Sequence, residues 1–517
     1  MSEKQRTGIM GKKGWIAAAL AVCCAGMILW LRPERTGVEA AQRDHLTIMK
    51  PLYSGHIYYP DSELERLLEE KAGVEVTYET PPSFEYRNRL MVRIAGGDIP
   101  DIINTYSPNE AEHNALISQG VFLPLDDLLP RFPRLVQAFS PQTWEYMRNP
   151  ADGKIYGVPW MRDRGGQGML IRRDWLDRLG LAPPSTLEEL TEVLIAFRDR
   201  DPDGNGRKDT IPLTFKDHQV WSLQPFFTLF GLNPNWHPSE EAADRLVYGW
   251  VEPEAVQVLE LLRSFREQGL LDPDFLVGKM LGNDKFQLGN VGVLVFNIGD
   301  YHYFAGQPEL QAEILDPISH KGHYWSLVLP SVPITRTNQI SADSPHPEAA
   351  LRYLEYQITE GFDLIQYGVE GKTYMVEDGV KVPLPSGKRD ARYNTNLGLE
   401  LLQPEWLYSA PEKYTKFMNR QETDYLMEKL NRYEQHIMYD YLRGNVLLPF
   451  REENWSQLRA IVEEGYASML LQPDVDIPTA FTRMLSQYKQ AGGVELEEEI
   501  NRLQLDKSMP GYTYMNR

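Results

Sequence analysis

The chain has 517 residues, which is enough for two or three ordinary domains or for one large two-lobed protein. Hydrophobic residues make up 42% and charged residues 24%, values that indicate a folded globular protein rather than a disordered one. A formal net charge of -20 argues against nucleic acid, and against an acidic polymer unless a local basic patch overrides the mean field.

The N-terminal 31 residues are typical of a targeting segment, which is kept apart from the fold. Lys12 and Lys13 precede an apolar run of eighteen residues, Gly14–Leu31, and Arg32 follows it. A run of this length is close to the shortest that crosses the hydrocarbon layer, so one possible fate is an uncleaved anchor. The basic residues before it would stay inside, which places the rest of the chain outside the membrane.

Two other fates of this segment remain open. The stretch LAVC, which ends at Cys23, resembles a bacterial lipobox, although Val22 is larger than the small residue expected before a lipidated cysteine. Cleavage after Ala40 also fits, because Val38 and Ala40 have the small-residue character of a signal-peptidase site. All three fates export the domain. Both cysteines, Cys23 and Cys24, lie in this segment, so the exported part has no disulfide and no Cys metal site.

The elements that follow alternate between strand and helix. A polar linker leads to a predicted strand at residues 45–49, and a helix is predicted over residues 60–71, capped by Asp61 or Ser62 and ended by Gly73. Residues 74–78 alternate as a strand, residues 84–95 form a helix, and residues 101–103 form a short buried strand. This order predicts a parallel sheet with helical crossovers in an α/β protein.

Helical patterns become stronger after residue 172. Gly180 ends a helix whose apolar face includes Trp175, and Thr186 with Glu189 predicts a capping box at the start of the next helix. The apolar run at residues 291–296 predicts a strand that is buried on both faces. Residues 347–367 are predicted to be helical, and residues 412–503 are mostly helical, with breaks at Pro449 and Pro473.

Four spaced stretches resemble the family 1 extracellular solute-binding proteins of bacterial carbohydrate ABC importers. They are GGDIPDII (96–103), DGKIYGVPW (152–160), MLIRRDWLDRLGLAPPSTLEELTEVLIAFRDRDPDGNGRKDTIPLTF (169–215) and PEAALRYLEYQITEGFDLIQYGVEGKTY (347–374). Within that family the chain is most similar to the longer lipoprotein members of Gram-positive bacteria and to the alginate-oligosaccharide-binding proteins. The resemblance covers about residues 45–505.

The resemblance implies a two-lobed α/β fold of the type II periplasmic-binding-protein class, with a hinge and a helix-rich C-terminal part. Residues 1–44 would be the signal or anchor with its linker. The N-lobe would hold residues 45–158 and about 325–385, and the C-lobe residues 159–324 and about 386–517. Such a protein is a monomer that binds an oligosaccharide between its lobes and delivers it to the membrane subunits of an ABC permease, without catalysing a reaction.

The loop DPDGNGRKD at residues 201–209 matches the first three-quarters of an EF-hand calcium loop. Position 12 holds Pro212 instead of the closing acid, and the alginate-binding relatives have an acid where Thr210 stands. The alternative is a helix-to-strand turn that is rich in Asn, Asp and Gly for conformational reasons. A bound calcium ion would be structural. The predicted ligands are Asp201, Asp203, Asn205, the carbonyl of Arg207, Asp209 and Thr210.

Aromatic and polar residues near strand ends or hinge crossings are the candidates for sugar contacts. Aromatic rings meet the C–H faces of a sugar, and polar side chains meet its hydroxyl rim. Each aromatic residue could instead be a packed core or rim residue. The candidates are Trp160, Arg162, Tyr106, Trp221, Asn297, Asp300, Tyr301, Trp325 and Tyr374.

Two other functions remain open from the sequence. A glycoside hydrolase or polysaccharide lyase also needs an aromatic cleft, and 73 acidic residues do not exclude a catalytic pair, although no short motif marks one. A binding protein that reports to a sensor kinase would look the same as one that feeds an importer.

Overall fold

The computed structural model describes most of the chain that follows the N-terminal segment. The described residues are 43–52, 58–60, 62–106, 108, 111–162, 164–239, 241, 245–305, 310–329, 334–377, 380–385, 388–393, 398–414, 418–442 and 448–504. The predicted anchor, lipobox and cleavage site lie outside them. Within these ranges, no helix combines the length and the apolar character needed to cross a membrane.

The strands are short, and they are numbered along the chain. They are β1 (Asp44–Met49), β2 (Val74–Glu79), β3 (Ile102–Tyr106), β4 (Val158–Met161), β5 (Gln167–Arg172), β6 (Ile211–Phe215), β7 (Trp236–Pro238), β8 (Leu246–Tyr248), β9 (Val291–Asn297), β10 (Ala312–Ile314), β11 (Ser319–His320), β12 (His323–Tyr324), β13 (Leu327–Leu329), β14 (Ile334–Ile340), β15 (Tyr374–Glu377), β16 (Val380–Pro383) and β17 (Ile437–Tyr439).

Helices separate most of these strands and dominate the last hundred residues. They are α1 (Glu63–Ala72), α2 (Ser83–Ala95), α3 (Ala111–Ser118), α4 (Pro133–Gln137), α5 (Pro141–Tyr146), α6 (Arg173–Leu179), α7 (Leu187–Asp199), α8 (Gln224–Thr228), α9 (Ala255–Glu267), α10 (Gly282–Gln287), α11 (His302–Ala305), α12 (Pro347–Gln357), α13 (Phe362–Tyr367), α14 (Pro411–Tyr414), α15 (Arg420–Tyr433), α16 (Pro449–Leu471), α17 (Ile477–Tyr488) and α18 (Val494–Gln504).

The first sheet holds five described strands in the order β2-β1-β3-β14-β4. β1 and β3 run parallel, whereas β14 runs antiparallel to both of its neighbours, β3 and β4. The sheet is therefore mixed, because a strand that arrives from far along the chain enters between two earlier ones. Its core includes Leu46, Ile48, Ile102 and Ile340, whose side chains are at most 1% exposed.

The second sheet has the order β10-β5-β9-β6, with β5 antiparallel and β6 parallel to β9. β9 is buried from Val291 to Phe296, as its apolar run predicts. A Cβ at Gly292 would lie only 2.3 Å from Cδ2 of Phe197, so glycine is required for the α7 helix to pack closely on this strand. The C-terminal helices join the same core: the Tyr466 hydroxyl of α16 donates to the Trp250 carbonyl at 2.7 Å.

The chain passes between the two sheets more than once. β4 belongs to the first sheet and β5 to the second, so one passage lies within residues 162–166. Leu327 and Leu329 of β13 belong to the core of the second sheet, whereas β14 belongs to the first sheet, so the chain returns to the first sheet between these two strands. Two sheets with separate hydrophobic cores make the described chain a two-lobed α/β protein.

A segment that was predicted to lie in the C-lobe packs on the first sheet. Leu399, Leu401 and Leu402 are buried in the first core. Polar side chains of the first lobe hold the backbone of this segment: Asn338 donates to the Leu401 carbonyl at 2.6 Å, and Gln357 donates to the Leu399 carbonyl at 3.1 Å. Tertiary hydrogen bonds of this kind leave no periodic trace in the sequence.

The stretch at residues 347–367 is helical, as predicted, and it forms two helices, α12 and α13. A Cβ at Gly361 would lie 2.5 Å from Cε1 of Tyr356, and the Gly361 N–H donates to the Tyr356 carbonyl at 2.8 Å. The chain therefore turns tightly between the helices. The other predicted boundaries agree within about three residues, and Ser62 is the observed cap of α1.

Candidate functional site

One edge of the first sheet gathers the carboxyl ends of three strands. Arg336, near the start of β14, pairs with Tyr106 at the end of β3 and with Trp160 near the end of β4. β1 runs parallel to β3, so Lys50, which follows β1, lies at the same edge. Ligands of open α/β sheets bind outside the carboxyl ends of the strands, which makes this edge the first part of the candidate site.

Two cationic side chains lie close to the ring of Trp160 at this edge. Nζ of Lys50 and Cζ of Arg336 are each 5.5 Å from the centroid of the indole ring, within the range of a cation–π interaction. The Trp160 side chain is half-buried. The structure therefore brings the predicted residue Trp160 together with two residues that the sequence patterns did not indicate. Lys50 directly follows a strand, which is the signal that identified Tyr106.

Lys50 is a buried cation whose hydrogen bonds go to the backbone. Its side chain is 4% exposed, and its ammonium donates to the carbonyl oxygens of Gly398 and Glu400. Burial lowers the pKa of Lys50 from 10.5 to about 7; the Glu400 carboxylate opposes this shift and the Arg336 charge adds to it. The lysine thus links β1 to the 398–402 segment and titrates near neutral pH.

The carboxyl ends of β6 and β9 form the corresponding edge of the second sheet. Lys216, directly after β6, makes an ion pair with Asp300, which lies just after β9. Asn297 ends β9, and its Oδ1 is a buried acceptor that has no hydrogen-bond partner among the described residues. A buried acceptor without a hydrogen bond lowers the stability of the folded protein, so a ligand that donates a hydrogen bond to it is favoured. The structure therefore brings the predicted residues Asn297 and Asp300 to one edge.

Tyr301 lies in a surface depression of about 500 Å³. Its ring centroid is 5.5 Å from that of Tyr425, and the depression also contains Arg173, Glu313 and Glu422. Burial raises the pKa of Tyr301 to about 12, with smaller contributions from the charges of Glu422 and Glu313. The tyrosine is 9% exposed, so it offers a ligand only part of its ring.

The two other tryptophans among the predicted sugar contacts, Trp221 and Trp325, differ in their surroundings. Trp221 is half-buried; its indole N–H donates to Glu463, and Cζ of Arg459 lies 4.9 Å from its ring centroid. Trp325 is 0% exposed, and its indole N–H donates to the Gln167 carbonyl at 2.8 Å. The contacts of Trp325 are those of a core residue, and in this conformation its ring has no surface for a ligand.

The last three candidates lie near the hinge and at a hairpin. The Arg162 carbonyl accepts from the Tyr408 hydroxyl, which anchors the passage between the sheets. Tyr374 begins the β15–β16 hairpin, with Nζ of Lys381 5.6 Å from its ring centroid. Tyr106 ends β3, and its side chain lies outside what the structure describes.

A polar contact joins the first lobe to the C-terminal helices. Asn114 of α3 packs with the first lobe, and its amide donates to Oε1 of Glu452 in α16 at 2.9 Å. Asn149 donates to Oδ1 of the same asparagine at 3.3 Å. Burial raises the pKa of Glu452, and the hydrogen bond from Asn114 partly opposes that shift. No sequence pattern indicates this contact, because its two halves are 338 residues apart.

The loop at residues 201–209, called the acidic loop from here on, folds into a compact turn that its own side chains stabilise by hydrogen bonds. Oδ2 of Asp201 accepts from the Gly206 N–H at 3.0 Å, and the Asn205 amide donates to Asp203 at 2.7 Å and to Asp209 at 3.0 Å. Asp201 has a positive φ of 50°. Oδ1 of Asp201 is buried and has no hydrogen-bond partner in the described part of the chain.

The remaining predicted calcium ligands have other contacts. The Thr210 hydroxyl donates to the Phe197 carbonyl at 2.8 Å, and the Arg207 N–H donates to Oδ1 of Asn205 at 2.7 Å. Burial, followed by the charges of Asp201 and Asp209, raises the pKa of Asp203. Among the described residues, no three His, Cys, Asp or Glu side chains are arranged closely enough for a metal site. The orphaned Asp201 oxygen and the oxygen-only donor set nevertheless fit a hard cation.

Comparison with known proteins identifies relatives of the chain. Residues 59–362 match the family described as bacterial extracellular solute-binding protein. Lipoprotein LipO of Bacillus subtilis strain 168 is 25% identical over 519 residues, which cover 95% of this chain and 98% of LipO. The fructooligosaccharide ABC transporter substrate-binding protein FusA of Streptococcus pneumoniae is 27% identical over 220 residues, which cover 40% of this chain and 41% of FusA.

Among solved structures, the alginate-binding protein AlgQ2, crystallised without calcium ion, superimposes with a TM-score of 0.71. The match covers 90% of this chain and 99% of AlgQ2, at 15% sequence identity. At this identity the likeness concerns the fold alone, and it confirms the predicted two-lobed fold of the type II class.

Proposed function

Because the chain belongs to the bacterial extracellular solute-binding protein family, we propose that it captures an oligosaccharide between its lobes and delivers it to an ABC permease. The observation that carries the proposal is the half-buried ring of Trp160 at the carboxyl edge of the first sheet, next to the passage into the second sheet. FusA, whose sequence is related, is a fructooligosaccharide-binding component of such an importer.

Sugar binding follows from the groups at the two sheet edges. The face of an indole ring attracts the C–H groups of a sugar, and hydroxyl groups exchange hydrogen bonds with carboxylates, amides and guanidinium groups. Asn297 offers an acceptor oxygen that has no hydrogen-bond partner among the described residues, and Asp300 offers a carboxylate that makes an ion pair with Lys216. We propose Trp160, Asn297 and Asp300 as the central contacts. The peripheral contacts would be Arg162, Tyr106, Trp221, Tyr301 and Tyr374.

The lobe boundaries are part of the proposal. The first lobe would hold residues 45–158 with residues 325–385, and the buried leucines of the 398–402 segment extend it. The second lobe would hold residues 159–324 and the C-terminal helices. Such lobes close by rotation about the connecting segments, and a ligand that touches both stabilises the closed form.

The membership of a substrate-binding family also leads us to propose that the chain is not an enzyme. A hydrolase needs two carboxyl groups on either side of the scissile bond. The test is to incubate the pure domain with an oligosaccharide that it binds and to follow the sugar by mass spectrometry. We expect the sugar to stay intact. Shorter products that increase with protein concentration would support the hydrolase or lyase instead.

We further propose that the protein acts at the outer face of the cell membrane. Its family is extracellular, and LipO, which aligns over nearly the whole chain, is a lipoprotein. Whether the N-terminal segment is lipidated, retained or cleaved can be read from the mass of the mature protein. Neighbouring permease genes would support import, whereas a neighbouring sensor-kinase gene would support sensing.

Calcium binding at the acidic loop is the last part of the proposal. Asp201, Asp203, Asn205, Asp209 and the Arg207 carbonyl would hold the ion, because they supply only oxygen ligands. A calcium ion there would offset two of the three negative charges of the neighbouring carboxylates and fix the turn between α7 and β6 in the second lobe. Thr210 is a weak candidate because its hydroxyl donates to Phe197.

The function is tested by a thermal-shift screen of the domain without its N-terminal segment. The panel contains oligosaccharides of plant and bacterial origin. A ligand that binds only the folded protein must raise the melting temperature, by an amount that grows with its concentration. Variant Trp160→Ala should show a smaller shift at the same concentration. If no oligosaccharide shifts the wild-type protein, carbohydrate capture is the wrong function.

A further inference from the structure

The depression beside Tyr301 extends away from the sheet edge that carries the proposed central contacts. The first residue of β5 pairs with Asn297 at that edge, and its last residue pairs with Ala312 of β10. At a rise of about 3.3 Å per residue, the two ends of β5 are about 17 Å apart. Tyr301 directly follows Asp300, and both Tyr301 and Ala312 line the depression. The depression therefore begins next to a central contact and reaches toward the opposite end of the second sheet.

The lining of the depression includes backbone groups of the outermost strand. β10 is the last strand in the order of the second sheet. The Ile314 N–H donates to the Tyr425 hydroxyl at 2.8 Å, so it points away from β5. Alternate residues of an antiparallel strand direct their backbone groups to the same side, so the N–H and C=O of Ala312 also point away from β5. Among the described residues, these two groups have no hydrogen-bond partner. They are therefore available to a ligand in the depression.

A tyrosine hydroxyl without a partner faces the same depression. Tyr301 is 9% exposed, and its hydroxyl makes no hydrogen bond with any described residue. Burial raises the pKa of this tyrosine to about 12, and the charges that add to the shift belong to Glu422 and Glu313. Both carboxylates line the depression, so the hydroxyl faces it rather than the core. A largely buried donor without an acceptor is unfavourable, so a ligand that accepts from it is favoured.

The charged groups of the depression argue against an acidic ligand. Among the described residues that line it, Arg173 is the only cation, and it makes ion pairs with two carboxylates, one of which is Glu313 of the same depression. Lys429, whose Nζ is 5.6 Å from the centroid of the Tyr425 ring, makes an ion pair with Asp316. Glu422 adds a further negative charge to the lining. The positive charges are therefore already paired, and the other polar groups of the lining are neutral side chains, those of Gln311, Asn419 and Gln421.

A peptide that adds a strand to β10 does not fit this depression. Strand addition uses a row of free backbone groups along an edge. β10 has three residues, and the Tyr425 hydroxyl already accepts from the Ile314 N–H, so Ala312 alone offers both of its groups. A sugar unit, in contrast, is bound by separate polar groups together with an aromatic face. The half-buried ring of Tyr425 supplies part of such a face.

Building on the proposed function, we infer that this depression is a second carbohydrate site, which holds further units of a neutral oligosaccharide whose first units lie between the lobes. The Tyr301 hydroxyl and the backbone groups of Ala312 exchange hydrogen bonds with the hydroxyls of these units. The volume of about 500 Å³ is within the range of small-molecule sites. The ligand is therefore longer than the part that the lobes enclose, and its outer units carry no charge.

The experiment measures how affinity depends on the length of the sugar. The probes are three neutral series, the fructo-, xylo- and galacto-oligosaccharides of two to eight units, titrated by calorimetry after the thermal unfolding of each variant has been measured. Tyr301→Phe removes only the hydroxyl. Its matched control is Tyr356→Phe, because Tyr356 is also 9% exposed and its hydroxyl also has no hydrogen-bond partner among the described residues. Gln421→Ala changes an exposed side chain of the depression, and its control is Gln257→Ala, an exposed glutamine in the first turn of α9.

We expect at least one series to bind the wild-type protein more tightly as its members lengthen. Tyr301→Phe and Gln421→Ala should each weaken the longest member by about 2- to 12-fold, since each removes one hydrogen-bonding group, and should change the shortest member little. Both variants should keep the melting temperature of the free protein. The two controls should match the wild-type protein at every length.

The same loss for the shortest and the longest members would place Tyr301 and Gln421 at the first units and overturns the inference. An affinity that does not change with length overturns it as well, and so does a wild-type protein that binds no neutral series. In each of these cases the proposed function stands if any oligosaccharide raises the melting temperature in the thermal-shift screen, and it fails only if none does.

Discussion

Replacing Trp325 by Ala tests whether this tryptophan is a core residue or a ligand contact. Its side chain is 0% exposed, and its indole N–H donates to the Gln167 carbonyl. The ring packs edge-on against that of Phe226, with the ring centroids 5.1 Å apart. Truncating a buried tryptophan costs about 3–5 kcal/mol. For a cooperative unit of about 470 residues, unfolding entropy is about 1 kcal/mol/K, so the melting temperature should fall by about 3–5 °C.

The matched variant is Trp160→Ala. Its half-buried ring contacts two cations, each worth about 0.5–1 kcal/mol, so the free energy of unfolding should fall by less than about 2 kcal/mol. The loss of sugar stacking, about 0.5–1.5 kcal/mol, should raise the dissociation constant by roughly 2- to 12-fold. Trp325→Ala should leave this constant nearly unchanged.

The assay is thermal unfolding of both variants, with calorimetric titration of the oligosaccharide that shifts the wild-type protein most. The expected pattern is a stability loss for Trp325→Ala and an affinity loss for Trp160→Ala. The opposite pattern, in which Trp325→Ala keeps its melting temperature and loses affinity, would refute the assignment of these two rings. Trp160→Phe is the control, because it keeps an aromatic face and should recover part of the affinity.

Three other perturbations have defined outcomes. Chelator should lower the melting temperature of the wild-type protein and added calcium should restore it, whereas Asp203→Ala should show neither response. If the melting curves of the wild-type protein are identical with chelator and with calcium, the loop at residues 201–209 binds no calcium and is only a turn. Glu452→Ala should weaken the contact with Asn114 and increase the radius of gyration measured by small-angle scattering, and Glu452→Gln, which keeps an acceptor oxygen, should not; equal radii would show that the contact does not join the lobes. Gly168→Ala should cost about 1–3 kcal/mol, because its Cβ would lie 2.6 Å from Cγ1 of Ile298, and a neutral result in a denaturant titration would contradict this packing.

The sequence determined the local elements of this protein well. Ser62 and Gly73 fix the ends of α1, since a side-chain oxygen caps the first turn and glycine adopts the left-handed conformation that ends it. The apolar run at residues 291–296 predicted a fully buried strand, because both faces of a strand in the middle of a covered sheet pack against apolar side chains. These features depend on neighbours in the chain, which a single sequence contains.

The candidate site was predictable only in part. Trp160, Asn297 and Asp300 lie at strand ends, and chain order alone indicated them. Lys50 was missed because a lysine after a strand is normally a solvated surface residue. Its burial depends on the carbonyls of Gly398 and Glu400, nearly 350 residues later.

Only the tertiary structure decided which residues meet across long distances in the chain. It placed Trp325 in the core, made the first sheet mixed by inserting β14 between β3 and β4, and set Asn114 beside Glu452. The physical reason is that burial and charge environment belong to packed neighbours, not to the residue itself. The sequence specifies the helices, the strands and the acidic loop through local periodicity and turn chemistry. The carboxyl edges of the two sheets, and the buried ammonium of Lys50 beside Trp160, form only when the lobes fold.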